Sequence, residues 1–157
     1  MPILIALLLT VATLSAETSV QNIQGVLQIV VNRRTALVLN PYAEAIDSFT
    51  ASWSKDHQAV AVIDKYPRVH TLWVAVKEKG AWIKVDESLW RNEINRRFAN
   101  IPYTPHSEYF KVLGWEDHSL HIQYTVLWRE GGQSLAIFTL KLNNTHGIRD
   151  WKEKHEY

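Results

Sequence analysis

The sequence predicts a mainly β protein built of antiparallel meanders, with one helix between them. Three observations carry this. Glu108–Asn143 divides into three runs, Glu108–Trp115, Ser119–Arg129 and Ser134–Asn143, separated by the polar turns Glu116-Asp117-His118 and Glu130-Gly131-Gly132-Gln133. In the second run Leu120, Ile122, Tyr124, Val126 and Trp128 alternate with His121, Gln123, Thr125 and Leu127, and Ala136, Phe138, Leu140 and Leu142 repeat the pattern in the third. A period of two over that length marks antiparallel strands with one buried face. A second hairpin is visible around Lys79-Gly80, and Ser88–Phe98 carries a helical period.

The 157 residues suffice for one domain with a real core. Formal net charge is +1, from 17 basic and 16 acidic residues, so no long-range field steers nucleic acid or an anionic membrane. Arg33-Arg34 and Arg96-Arg97 are too short for a phosphate-binding stripe. Residues 1–16 stand apart: Pro2–Ala16 is uncharged, dominated by Ile and Leu, ends in Ser15-Ala16 and is followed by polar Glu17-Thr18-Ser19. That is the layout of a signal peptide cleaved at Ala16–Glu17, leaving a mature chain without a membrane span. Cysteine is absent, which points to a bacterial periplasm or secretion without disulfides and excludes thiol catalysis and cysteine-based zinc. Asn143-Asn144-Thr145 is a formal glycosylation sequon.

Taken in order, Val26–Val31 and Thr35–Asn40 form a hairpin across Asn32-Arg33-Arg34. Asn40-Pro41 then offers a helix start, with Tyr42, Ile46, Phe49 and Trp53 on one face, in competition with a strand over Phe49–Ser54. Gln58–Asp64 reads as a strand ended by Tyr66-Pro67-Arg68. Val69–Lys77 and Ala81–Asp86 pair so that Val76 meets Ile83 and Val74 meets Val85, making an apolar face with Leu72. The opposite face pairs Lys77 with Trp82 and Trp73 with Asp86. Asp86-Glu87-Ser88 caps the helix, Arg96-Arg97 complements its last turn, and Trp90, Ile94 and Phe98 share the face that lies on the sheet. Ile101–Pro105 is a loop, and the polar tail after Gly147 either adds a last strand or frays.

The two halves repeat each other, over about 49–86 and 108–152. Thr50-Ala51-Ser52-Trp53-Ser54-Lys55-Asp56-His57, followed by Gln58-Ala59-Val60-Ala61-Val62, aligns with Leu113-Gly114-Trp115-Glu116-Asp117-His118-Ser119-Leu120-His121-Ile122, given one gap. The first copy resembles the TolB-type (WD40-like) β-propeller repeat, in which a strand ends in Trp-Ser-Pro-Asp-Gly. Here Lys55 stands for the proline and His57 for the glycine, and Trp115-Glu116-Asp117-His118 departs further. The resemblance implies four-stranded antiparallel blades that often bind proteins, and it carries over no catalytic residue. Two blades cannot close a ring. The expectation is therefore two propeller-like blades as a sandwich or incomplete propeller, with a homo-oligomer as another way to complete the structure.

Asp56-His57 and Asp117-His118 look like acid–base dyads, yet both fall at tight turns where the second residue needs positive φ, and His is among the few residues other than glycine enriched there. His118 and His121 are three apart, which on a strand points them to opposite faces. The seven tryptophans are the main compositional anomaly, and most are expected in the core. Trp73 and Trp82, with Lys77, Lys84 and Asp86, are the exceptions, a candidate stacking platform for a glycan. No hydrolase, zincin or phosphate-loop motif is present, and no cofactor or metal is implied. Two functions follow: an exported non-enzymatic β-sheet module binding a protein or envelope polymer, or a small hydrolase or metal-dependent enzyme using His106, Glu108, Asp117, His118 and His121.

Overall fold

A computed structural model describes residues 17–44, 48–143 and 146–157. The expected leader Pro2–Ala16 lies outside these residues, as do Ile46 of the expected helix and Asn144-Thr145 of the sequon. The described chain is mainly β and forms three antiparallel sheets and one helix, an arrangement consistent with a β sandwich or an incomplete propeller. The first sheet holds β1 (Thr18–Ile23), β2 (Val26–Val31) and β3 (Arg34–Asn40). The second is a meander of β4 (Ser48–Trp53), β5 (Ala59–Lys65), β6 (His70–Glu78) and β7 (Ala81–Lys84). After α1 (Ser88–Phe98) comes a second four-stranded meander, β8 (Pro105–Glu116), β9 (Ser119–Trp128), β10 (Gln133–Lys141) and β11 (Gly147–Glu156).

The predicted meander is present in register. Leu120, Ile122 and Tyr124 of β9 face Leu140, Phe138 and Ala136 of β10, and β9 alternates buried and half-buried residues along its whole length. The turn after β9 needs glycine at position 132: its φ is +80°, and an added Cβ would lie 2.3 Å from the Glu156 carbonyl oxygen. The tail is a strand, because β11 pairs with β10 from Gln133↔Glu156 to Lys141↔Gly147 across one bulge. In the second sheet Val76 pairs with Ile83 and Lys77 with Trp82, as the Lys79-Gly80 turn requires. Ile83 lies on the outermost strand and is 45% exposed, so it does not join the core expected around it.

Two expectations are corrected. In place of a helix carrying Phe49 and Trp53, Ser48–Trp53 is strand β4. Asn40, the expected cap, accepts the Tyr42 amide at 2.9 Å while its own amide donates to Asp64, and Tyr42 is exposed. The larger correction concerns the second sheet, which has no open face. Ala59, Ala61, Ile63, Leu72, Val74 and Val76 pack with α1 and the third sheet. Val60, Val62, Ala75 and Trp82 pack against Leu27, Ile29 and Leu39 of the first sheet. Six successive residues of β5, Ala59–Asp64, are buried, as happens when both faces of a strand are covered.

The helix seats Trp90, Ile94 and Phe98 in the core as its period predicts. Phe98 stacks on Tyr124 at 5.8 Å and meets Trp128 and Trp151 edge-on. Asp86 Oδ1 accepts the Ser88 amide at 2.9 Å, while Glu87, at the cap position, makes no side-chain cap. Hydrogen bonds from Arg96 and Arg97 hold the Glu93 carboxyl down to about 2, against an ordinary value of 4.5.

Between the first two sheets lies Asp64, fully buried. Its Oδ2 accepts Asn40 Nδ2 at 2.8 Å and Trp73 Nε1 at 2.7 Å, and its Oδ1 accepts the Thr71 amide at 3.1 Å. All three partners are donors, so an amide in place of the carboxylate would turn an N–H against one of them. Asp64→Asn is expected to lower unfolding free energy by about 2–4 kcal/mol, measured by urea denaturation. For Glu93 the folded value lies below the unfolded one, so its contribution is present above pH 4.5 and lost as pH falls through about 2. Because the partners are partly exposed, Glu93→Gln is expected to cost only about 0.5 kcal/mol at pH 7 and to converge with the parent near pH 2.

Candidate binding groove

Of the five residues of the enzymatic reading, His106, Glu108, His118 and His121 lie in separate surroundings, and Asp117 adjoins His118 in its turn. His106 is exposed on β8. Glu108 faces a small aromatic cavity, where its Oε1 accepts the Tyr124 hydroxyl at 2.5 Å and its Oε2 lies 3.5 Å from Arg91. Burial and that bond push the Tyr124 phenol well above its ordinary value, so Tyr124 stays a neutral donor. His121 meets Thr139 Oγ1 at 3.0 Å and Glu116 at 3.5 Å, whereas His118 borders a different cleft with Glu78 and His146. Among the described residues no group of three His, Asp or Glu side chains converges as a metal site. His155, Ser134 and Glu153 resemble a hydrolytic triad, with Nδ1 2.8 Å from Ser134 Oγ and Nε2 3.6 Å from Glu153. Ser134 is fully buried and its Oγ also accepts Trp128 Nε1 at 3.0 Å, so it cannot reach a substrate.

The two Asp-His pairs are turns, and they differ. His57 has φ +56° and stacks on Trp53 at 5.8 Å. Asp56 Oδ1 accepts the Ser54 hydroxyl and the Gln58 amide, which together hold its carboxyl below the ordinary range. In the second pair the positive φ, +49°, belongs to Asp117 and not to His118, so the expected equivalence of the two histidines is wrong. The one-residue gap in the repeat alignment moves the strained position.

The proposed stacking platform is not a flat open face. Trp82 is 8% exposed and packs edge-on to Trp53 at 5.7 Å beneath the first sheet. Trp73 is half-buried, donates to Asp64, and has Lys84 Nζ 5.1 Å from its ring centroid. Trp73, Lys84 and Asp86 do come together, with Trp90, around a cavity of about 320 Å³. Lys77 lies elsewhere, in the cleft that holds His118. None of the seven tryptophans is exposed, in line with the expectation that most serve the core.

A larger feature was missed by reading residues singly. The third sheet's edge strand β8 passes beside the second sheet's edge strand β4, and between them runs a groove of about 660 Å³. Ala61, Ile63, Phe110 and Val112 form its apolar part, while Thr50, Ala51, Lys65, Tyr109, Lys111 and Leu113 line its sides. A parallel bridge, Val69↔Glu108, with the Glu108 amide 2.9 Å from the Arg68 carbonyl, ties one end. Trp115 Nε1 ties the other, donating to the Ser52 carbonyl at 3.2 Å and Oγ at 3.1 Å. His70 also lines the groove; its ring meets Tyr109 edge-on at 4.9 Å, and its Nδ1 is buried without a partner. One signal did point here: Thr50–Ser52 and Leu113-Gly114, on opposite walls, are the aligned stretches before the tryptophan of each repeat.

No protein-family model matches this sequence, and no curated protein or solved structure matches it. Among the described residues no helix is long and apolar enough to cross a membrane.

The turn assignment predicts a specific pattern. Asp117→Gly is expected to raise stability by up to about 1 kcal/mol by removing the positive-φ penalty, and His118→Gly to lower it by about 0.5–1 kcal/mol. His57→Gly, which trades strain against the Trp53 stack, should stay within about 0.5 kcal/mol of the parent. Thermal and urea midpoints of the three variants check this.

Proposed function

We propose that this chain is an exported, non-enzymatic β-sheet module that binds a segment of another protein or an envelope polymer in the groove between β4 and β8. The groove itself carries the reading. It joins an apolar interior to two strands that each have a hydrogen-bonded neighbour on one side only, the combination that takes up an extended chain. The stretch Tyr109–Gly114 spans about 20 Å at the strand rise, room for roughly six residues of extended ligand. The scattering of His106, Glu108, Asp117, His118 and His121 gives the enzymatic alternative no common cavity to work in. The uncharged Pro2–Ala16 stretch and the absence of cysteine support export to a periplasm or beyond.

Co-purification of tagged protein from its native envelope tests this. The recovered chain is expected to begin at Glu17 and to bring a partner with it. Thr50→Trp fills the groove from an exposed edge position that faces Ile63 and should lose that partner, while Arg149→Glu on β11 should keep it. Equal capture by parent and Thr50→Trp, or turnover of an ester or glycoside by the purified chain, would overturn the reading.

A further inference from the structure

The groove's chemistry says what kind of segment it takes. Resting on the binding reading above, we infer that the occupant is an acidic, extended segment of a partner protein, and that it adds as a strand to the edge of β4. Among the described residues, those lining the groove include Lys65, Lys111 and His70 and no carboxylate. The chain as a whole has 17 basic and 16 acidic residues, so this local excess is not a reflection of a basic protein. Lys65 is half-buried beside the bridged end, and Lys111 is exposed on the opposite wall, so a carboxylate-bearing strand between them meets positive charge on both sides.

The two edges are not equally receptive. Edge strands that avoid pairing carry charge, proline or a bulge. Strand β8 has all three: Lys111, Pro105 at its start, and register shifts at Pro105/Ser107 and Val112/Gly114. Strand β4, Ser-Phe-Thr-Ala-Ser-Trp, has no charge and no proline, and it pairs with β5 residue for residue from Ser48↔Lys65 to Trp53↔Val60. An incoming strand on β4 sends alternate side chains to the two sides of its own backbone. One set reaches Ile63, which shares its face of β5 with Lys65, and the other lies towards Lys111 on the opposite wall. The segment expected carries an acidic residue towards each lysine, with apolar residues between them.

A displayed library of seven-residue peptides, selected on the purified protein and counter-selected on Thr50→Trp, tests the inference. Peptides enriched in Asp or Glu are expected, and their affinity should fall at least about tenfold in the Lys65→Glu/Lys111→Glu variant and in about 0.5 M salt. The Lys65→Gln/Lys111→Gln variant gives an intermediate loss and guards against a folding defect, as do unchanged urea midpoints. A proline at an interior position of a selected peptide should abolish binding, since a paired strand must donate its amides. Groove-dependent peptides without acidic bias would overturn the inference and leave the binding reading standing. A library yielding no peptide that discriminates parent from Thr50→Trp would overturn both. A dimer in sedimentation that Thr50→Trp dissolves would identify a second copy as the occupant and overturn the acidic segment.

Discussion

The carboxylate of Asp64 ties β3 and β6 together at one fully buried point. It is fully buried and its three donors are neutral, coming from β3, from the backbone of β6 and from the Trp73 indole. A buried carboxylate is tolerable only when its lone pairs are met by donors, so each partner is constrained by the others. Asn40 is drawn in from the end of β3, which brings Leu39 and Ala43 down onto Val60 and Val62. Trp73 is fixed by its indole nitrogen, and Lys84 then lies over its ring while donating to the Leu39 carbonyl. The joint between the first two sheets is thus polar at its centre and apolar around it.

That joint decides the character of the whole molecule. With the first sheet in place, the second has apolar neighbours on both faces and becomes the interior layer. The strands left with an unpaired side are then the outer ones of each sheet, and β4 and β8 are brought against each other by the crossing of the third sheet. Trp115 and the Val69–Glu108 bridge hold the two edges apart at fixed ends, leaving a groove where the strands would otherwise need covering.

Much of the local structure was legible from the residues. Strong alternation in β9 and β10, the Lys79-Gly80 turn and the Trp90–Ile94–Phe98 stripe each constrain their element within a few residues, because each burial pattern repeats several times. Strand β1, Thr-Ser-Val-Gln-Asn-Ile, was not seen: it is half-buried or exposed throughout and has no alternation to read. The hairpin of β2 and β3 is expected from its residues, but nothing in them says that it lies over the Trp73/Trp82 face, so that face looks open. The same sequence pattern, large aromatics beside lysine and aspartate, suits a solvent-facing platform or a partly polar joint, and only the neighbour decides.

The amino-acid order by itself determined that the fold is mainly β with one helix, the pairing within the predicted hairpins and the turn character of Asp56-His57, since these depend on contacts within one or two elements. The tertiary structure alone decided which sheet faces are covered, that Asp64 joins two sheets, and that His106, Glu108, His118 and His121 stand apart. It also decided that the stretches before Trp53 and Trp115 face each other across a groove. Those outcomes turn on the packing of sheets distant in sequence, where burial reads the same from either face of a strand and a residue's partners cannot be inferred from its own period.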